Sequence, residues 1–231
     1  NFTRSEISKA LSVKAKNAMV KIAPGIDTSH FLPTTNASEL RSQLGLVDKK
    51  VIVSVGRLVH RKGQDILIQA LPEVLKAHPS AHLLLVGEGP YRQYLEKLVK
   101  ELKVEAAVSF IGRIQYRELP RYICVGDIFV MPSRSRLAGL EVEGLGIVYL
   151  EASSCGLPVI AGKSGGAPDA VIEGVTGVTV DGTSINEVSQ AVIAMFDNPQ
   201  ESKTMGEAGR NWIHDKWRWE IWAAEFNALF K

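Results

Sequence analysis

The sequence predicts an α/β domain with a doubly wound, Rossmann-like parallel sheet. From residue 51 onward, short apolar runs rich in Val, Ile and Leu alternate with longer segments of helical periodicity. The apolar runs are continuous instead of alternating with polar residues, which is typical of strands covered on both faces. Strands that are separated by helices pair in parallel. At 231 residues, the chain is long enough to bury the core of such a domain.

The predicted elements follow each other in regular order. Strands are predicted at residues 51–55, 83–86, 108–111, 128–131, 158–161 and 177–180. Helices are predicted at 64–77, 91–102, 117–125, 147–154, 185–196, 201–216 and 219–230, and the helix at 117–125 has the weakest pattern.

Residues 1–50 follow a different pattern. An amphipathic helix is predicted at 2–11, a strand-like run at 20–27, a linker or helix cap at 34–38 and a short helix at 39–44. Because the chain begins with Asn1, we expect a piece of a longer protein. Residues 1–20 would be the end of a preceding domain or a linker, and residues 21–215 the Rossmann-like domain. Residues 216–231 would form a C-terminal helix that packs back toward the preceding domain.

Composition and charge argue against several classes of function. The net charge is +2 without a clustered basic excess, so we expect no nucleic-acid partner. No apolar run reaches the roughly 20 residues that span a membrane. The five histidines lack metal-ligand spacing, and we expect no metal site. Cys124 and Cys155 lie in apolar contexts, which favours burial of both side chains in the core. Only two cysteines also suit a reducing compartment, so we expect a cytoplasmic location.

The most informative segment is 143–151, where two carboxylates lie eight residues apart around a Gly-rich turn. The turn leads into a short apolar helix, so backbone N–H groups and the positive end of a helix suit an anion such as phosphate. Glu143 and Glu151 are better suited to accept hydrogen bonds from hydroxyl groups. The segment therefore predicts a phosphate in the middle and sugar hydroxyls on both sides.

Glycines and cations follow the predicted strands one after another. In an open parallel sheet these positions share one edge, where ligands bind. The segments concerned are 56–57, 62–63, 87–89, 112–114, 132–134 and 162–168. Arg57 offers a planar fork of donors and Lys62 a mobile point charge, which makes them the natural ligands of a diphosphate. Such cations stabilise the charge that develops on a departing nucleoside diphosphate.

These residues also resemble a known family. The octapeptide 56–63 (Gly-Arg-Leu-Val-His-Arg-Lys-Gly), Gly112-Arg113, the segment 126–133 and the pair Glu143 and Glu151 resemble retaining glycosyltransferases of the GT-B fold. The resemblance is to the C-terminal, donor-binding half of the family with the E-x7-E motif, and it covers residues 20–231.

A closer resemblance is to bacterial GDP-mannose-dependent phosphatidylinositol monomannoside mannosyltransferases. The resemblance lies in the amino-acid sequence of segments 134–136, 141–152 and 164–168. Leu145 stands where many family members have Phe, and Leu137-Ala138-Gly139 departs from the expected Gly-rich stretch. The second departure leaves the acceptor open.

The resemblance implies a role for each matching residue. Arg57 and Lys62 would bind the diphosphate and stabilise its departure, and Glu143 would hold hydroxyls of the donor sugar near the anomeric carbon. Glu151 would hold the ribose hydroxyls, and the main chain at Ile114 would contact the base. The implied donor-binding residues are Gly56, Ile114, Gly144, Leu145, Gly146, Ile147, Val148 and Glu151.

The resemblance also implies a reaction and its partners. The donor would be a nucleotide sugar, with GDP-mannose favoured, and the reaction would need neither metal nor further cofactor. The leaving phosphate would assist deprotonation of the acceptor on one face of the sugar. The acceptor, a glycan or glycolipid, would bind an N-terminal domain outside this chain. A peripheral membrane contact is compatible with the parent enzyme. The chain alone would bind nucleotide weakly and transfer no sugar.

Three alternatives stay open on the sequence alone. The donor could instead be UDP-glucose or ADP-glucose. A non-glycosyl Rossmann enzyme such as an oxidoreductase needs a complete glycine fingerprint, and Gly87-Glu88-Gly89 is followed by Pro90 without the third glycine. A non-catalytic module that binds nucleotide sugars would have no need of Glu143, which this chain retains.

Overall fold

The computed structural model describes residues 1–34 and 37–230 and contains a six-stranded parallel sheet. The predicted segments 34–38 and 216–231 include residues 35, 36 and 231, which lie outside the described part. The strand order is β3-β2-β1-β4-β5-β6. The strands are β1 (Lys50–Val55), β2 (Ala81–Val86), β3 (Val108–Gly112), β4 (Ile128–Met131), β5 (Val159–Gly162) and β6 (Gly177–Val180).

Helices cover both faces of the sheet, which confirms the predicted doubly wound α/β fold. They are α1 (Phe2–Lys9), α2 (Val13–Asn17), α3 (Ala37–Gln43), α4 (Gln64–Ala77), α5 (Arg92–Glu101), α6 (Leu119–Ile123), α7 (Ile147–Ser154), α8 (Ile185–Asp197), α9 (Pro199–Lys216) and α10 (Trp219–Ala228). In the described part of the chain, no helix has the length and apolar character that crossing a bilayer requires.

The core consists of two hydrophobic clusters, one on each face of the sheet. Val53 of β1 points into the cluster that contains Tyr149 of α7, whereas its neighbour Ile52 points into the cluster built with α4 and α8. Successive residues of a strand face opposite sides, so one continuous apolar run serves both clusters. This explains why the strands lack polar alternation.

The strand order changes direction between β1 and β4. β1 pairs with β2 along its whole length, from Lys50 beside Ala81 to Val55 beside Val86, and with β4 on its other side. The chain therefore leaves the adjacent β1 and β4 toward opposite halves of the sheet, and a crevice opens at their carboxyl ends. This switch point is where open α/β sheets bind ligands.

Two predictions about local structure are wrong, and one short helix was missed. The strand expected at 20–27 is reduced to one bridge, in which the N–H of Ile26 donates to the carbonyl of Trp217 at 2.7 Å. Pro24 has no N–H to donate to a ladder, and in the part of the chain that the structure describes no strand lies beside this segment. The helix expected at 117–125 is a 3-10 turn followed by the shorter α6, which has Pro120 in its first turn. Helix α2 was not predicted, and Ser12 caps it by accepting the N–H of Ala15 at 3.3 Å.

We expect Ile52→Ala to lower the free energy of unfolding by about 2–4 kcal/mol, because a fully buried side chain leaves a cavity in the core. Urea denaturation followed by circular dichroism measures the loss. Val47→Ala is the matched control, since Val47 is 63% exposed, and its effect should stay within about 0.5 kcal/mol. Equal losses in the two variants would contradict the assigned core.

Candidate active site

The loop after β1 and the loop before α7 meet in a buried ion pair. Nζ of Lys62 lies 2.8 Å from Oε2 of Glu143, and the two residues are 8% and 6% exposed. The contact is electrostatic, without an aligned hydrogen bond to that oxygen. The stem of Lys62 passes Gly56, where a β-carbon would lie 3.7 Å from its Cε. The structure thus brings together two residues that the sequence assigned to one site.

A second layer of charge surrounds this ion pair. Nε of Arg61 lies 3.9 Å from Oε2 of Glu143, and its NH1 lies 4.0 Å from Oε1 of Glu141. The other oxygen of Glu141 accepts a hydrogen bond from NH1 of Arg136 at 2.7 Å. Sequence reasoning missed Arg61, although its place beside Lys62 in a loop that follows a strand was a usable signal.

The main chain of Glu143 is fixed by the loop after β5. Its N–H donates to Oγ of Ser164 at 3.1 Å, and its carbonyl accepts the N–H of Gly166 at 2.9 Å. A β-carbon at Gly165 would overlap the carbonyl oxygen of Glu143, and one at Gly166 would overlap that of Gly144. These glycines let two loops touch through their backbones, a function that the sequence did not reveal.

The Gly-rich turn presents a run of open backbone donors. Among the described residues, nothing accepts a hydrogen bond from the N–H groups of residues 144–148. Gly146 caps α7 in the left-handed region (φ +69°), and a β-carbon there would overlap the ring of Tyr149. Around Gly144, a β-carbon would meet no atom within 4 Å, so the turn is open on that side. Such a turn and helix start can hold an anion.

Tyr149 fixes α7 against the sheet. Its ring is fully buried, and its hydroxyl donates to the carbonyl of Met131 at 2.7 Å, with Oγ of Ser133 2.9 Å away. Both partners lie at the carboxyl end of β4. The start of α7 is therefore held directly over the crevice between β1 and β4.

Glu151 lies one helical turn after Ile147 and is 7% exposed. Its carboxylate makes neither a hydrogen bond nor an ion pair with the described residues, and burial raises its pKa to about 7. Burial and then the charge of Glu151 raise the pKa of Tyr116, which follows β3. The carboxylate of Glu151 therefore lies close enough to Tyr116, two residues after the half-buried Ile114, for its charge to act on the Tyr116 hydroxyl.

Arg57 is exposed, and its side chain pairs with no carboxylate in the described part of the chain. Its carbonyl accepts a hydrogen bond from Nε2 of Gln64 at 3.3 Å, which fixes the backbone of the loop. Leu145 is half-buried, Ile147 is exposed and Val148 is buried at the start of α7. The donor contacts assigned to these residues stay predictions.

Arg134 has a structural position that the sequence did not reveal. Its NH2 donates to Oδ2 of Asp65 at 2.7 Å, and Tyr91 donates to the same oxygen at 3.2 Å. Its backbone N–H donates to the carbonyl of Arg61 at 2.8 Å. Arg134 therefore ties the loop after β4 to the loop after β1.

A doubly wound sheet with open backbone N–H groups over its switch point is typical of α/β domains that bind ligands at that edge. The chain matches the family model described as Glycosyl transferases group 1 over residues 36–212, and it belongs to that family. The family expected from the sequence is thereby confirmed.

Named relatives include two mannosyltransferases. The chain is 45% identical over 229 residues to the GDP-mannose-dependent alpha-(1-6)-phosphatidylinositol monomannoside mannosyltransferase of Mycolicibacterium smegmatis, covering 99% of this chain and 59% of that protein. It is 45% identical over 200 residues to the GDP-mannose-dependent monoacylated alpha-(1-6)-phosphatidylinositol monomannoside mannosyltransferase of Corynebacterium glutamicum, covering 85% of this chain and 52% of that protein. The chain therefore spans between half and three fifths of the length of these relatives.

Solved structures support the fold. The Anabaena HepE protein in complex with UDP superposes with a TM-score of 0.88 at 24% identity, over 98% of this chain and 60% of that one. Sucrose-phosphate synthase from Thermosynechococcus elongatus superposes with a TM-score of 0.80 at 31% identity, over 90% of this chain and 51% of that one. The predicted GT-B type of α/β fold is confirmed.

The buried Glu151 predicts a pH-dependent stability. Its pKa is about 7 in the folded protein and 4.5 as an ordinary glutamate. As pH rises from about 4.5 to about 7, folding must bury a growing negative charge, so the folded state loses about 3 kcal/mol from this group. Glu151→Gln removes this loss. We expect the variant to gain about 2–3 kcal/mol of stability relative to wild type between about pH 5 and about pH 8, measured by urea denaturation.

The control is Glu105→Gln, since the exposed Glu105 carboxylate stays in water in both the folded and unfolded states. Its stability relative to wild type should not change across the same range. A constant difference between wild type and Glu151→Gln would show that Glu151 is not buried as described.

Proposed function

We propose that this chain is the donor-binding domain of a retaining glycosyltransferase that moves mannose from GDP-mannose to an acceptor alcohol. The observation that carries the proposal is the run of unpaired N–H groups at 144–148, between the buried carboxylates of Glu143 and Glu151. An anion site flanked by two hydroxyl-binding groups matches the order of sugar, diphosphate and ribose in a nucleotide sugar.

The diphosphate binds at the start of α7. The N–H groups of 144–148 and the positive end of the helix receive the phosphate oxygens, and Lys62 reaches them from the opposite side. Arg57 is exposed in the same loop as Lys62 and pairs with none of the described residues, so its guanidinium is available to a second phosphate oxygen. As the bond from the anomeric carbon to the phosphate oxygen breaks, these cations stabilise the negative charge on the leaving group.

The two carboxylates hold the alcohols on either side. Glu143 accepts hydrogen bonds from hydroxyls of the donor sugar, close to the anomeric carbon. Glu151 has no hydrogen-bond partner among residues 1–34 and 37–230, and ribose hydroxyls supply the donors that a buried carboxylate needs. The main chain at Ile114, two residues before Tyr116, contacts the base.

The configuration at the anomeric carbon is retained if the acceptor attacks that carbon from the face that the phosphate leaves. The acceptor oxygen bonds to the anomeric carbon, its proton passes to an oxygen of the departing diphosphate, and no base of the protein is required. Lys62 and Arg57 supply the positive charge, and independence of metal and of any cofactor besides the nucleotide sugar stays a prediction.

The acceptor is a glycan or glycolipid held by an N-terminal domain. The two relatives described above are named for phosphatidylinositol mannosides, which supports a glycolipid. We place the enzyme in the cytoplasm with peripheral contact to the membrane and without a nucleic-acid partner. The domain alone binds nucleotide weakly and transfers no sugar.

A second donor class has a specific observation in its favour. The Anabaena HepE protein is solved with UDP-glucose as well as UDP, and its fold matches over 98% of this chain. A uridine or adenine nucleotide sugar would use the same phosphate and ribose contacts and differ only at the base.

We expect GDP to raise the melting temperature of this chain more than UDP, ADP or NAD at equal concentration. At a concentration about 100-fold above the dissociation constant, the rise should be about 5–10 °C, measured by differential scanning fluorimetry. Glu151→Ala should weaken GDP binding about tenfold by removing acceptors for the ribose. Glu105→Ala is the control and should bind as wild type. A rise with NAD alone would overturn the proposed function.

We expect Lys62→Ala in the full-length enzyme to lower turnover at saturating donor by about 10²–10³-fold, because a cation on the leaving group is lost. Radiolabelled mannose transfer to a phosphatidylinositol mannoside acceptor measures it. The control is Lys163→Ala, which removes an exposed cation from the same edge of the sheet. Turnover close to wild type in a folded Lys62→Ala enzyme would remove Lys62 from the reaction.

A further inference from the structure

Residues 136–141 form a small antiparallel hairpin between β4 and α7, which the proposed function does not use. The N–H of Arg136 donates to the carbonyl of Glu141 at 2.8 Å, and the N–H of Glu141 donates back at 3.2 Å. The side chains of the same two residues pair at 2.7 Å. The 136–141 hairpin is therefore closed at its base, and its tip is formed by Leu137, Ala138, Gly139 and Leu140.

The tip of the 136–141 hairpin exposes two large apolar side chains. Leu137 is 66% exposed and Leu140 is 88% exposed. Leu137 (φ 51°) and Ala138 (φ 53°) are both in the left-handed region, which strains residues that have a β-carbon. Glycine would take this conformation freely, and yet the chain carries Leu and Ala. Strain of this kind persists where a segment has a task beyond folding.

The base of the 136–141 hairpin carries an excess of positive charge. The guanidiniums of Arg136 and Arg61 share the carboxylate of Glu141, at 2.7 Å and 4.0 Å. Glu143, the other carboxylate near Arg61, is already paired with Lys62 at 2.8 Å. At the base of the apolar tip, two guanidiniums thus share one carboxylate, while Lys62 and Glu143 form a separate buried pair.

We propose that the 136–141 hairpin inserts its leucine tip into the surface of a bilayer that contains anionic phospholipid. Apolar side chains that enter the acyl boundary, with cations at the level of the phosphates, are the signature of a peripheral membrane contact. The proposal rests on the proposed function, since a glycolipid acceptor must be reached at the bilayer. It deepens that function by naming the surface of the donor domain that meets the lipid.

The test is co-sedimentation of this chain with vesicles of phosphatidylcholine, with or without phosphatidylglycerol. We expect binding to the anionic vesicles that weakens as salt is added, since salt screens exposed charges. Leu137→Ser/Leu140→Ser should lower the partition coefficient about tenfold, because the side chains that enter the acyl boundary are lost. The matched control is Val47→Ser/Val175→Ser, which alters exposed apolar residues in loops that precede strands and should leave binding unchanged.

A second variant separates binding from folding. Leu137→Gly relieves the left-handed strain, so its melting temperature should equal or exceed that of wild type while vesicle binding falls. Equal binding by wild type and the double leucine variant would overturn the proposal, as would equal binding to vesicles with and without anionic lipid. A leucine-dependent dimer in light scattering, without vesicle binding, would assign the tip to a second copy instead.

The vesicle assay contains no nucleotide, so the two proposals fail separately. Loss of the GDP-induced stabilisation with intact vesicle binding would refute the donor site alone. Intact GDP stabilisation without vesicle binding would refute the hairpin's role alone.

Discussion

The candidate site depends on one buried ion pair, between Lys62 and Glu143. Each charge loses several kcal/mol of hydration on leaving water, and the partner offsets much of that loss. The two residues come from loops that are far apart in sequence, and they meet because both loops stand over the switch point between β1 and β4. The pair therefore links the two walls of the crevice, and loss of Lys62 would leave Glu143 buried with only the more distant Arg61, at 3.9 Å, as its counter-charge among the described residues.

Backbone contacts keep these walls from moving apart. Gly63 is left-handed (φ +74°), and a β-carbon there would overlap the carbonyl of Pro132, so the loops after β1 and β4 touch through their main chains. The N–H of Gly166 bonds directly to the carbonyl of Glu143 on the other side. Tyr149 adds a buried hydrogen bond from α7 to the end of β4. Loops tied in this way present their free N–H groups without having to reorganise when a ligand arrives.

The sequence predicted the sheet well, because buried parallel strands and amphipathic helices leave local periodic patterns. The predicted bounds of β4, β6, α4 and α7 agree with the structure at both ends. The meeting of Lys62 and Glu143 also followed, from the rule that loops after parallel strands share an edge. What failed depends on partners distant in the chain. A strand at 20–27 needed a neighbour that the fold does not supply, and the contact of Arg61 with Glu143 exists only once two loops meet.

The two carboxylates beside the proposed anion site pose an electrostatic problem, since both would repel a phosphate if fully charged. The structure answers it differently on each side. Glu143 is neutralised by Lys62 at 2.8 Å, whereas burial raises the pKa of Glu151 to about 7, so a large share of that group is protonated near neutral pH. An ammonium has three donors, so Lys62 can keep Glu143 while it also reaches a phosphate oxygen. In the proposed complex, both carboxyl groups thereby keep oxygens that accept hydrogen bonds from sugar hydroxyls, with less repulsion of the phosphate between them.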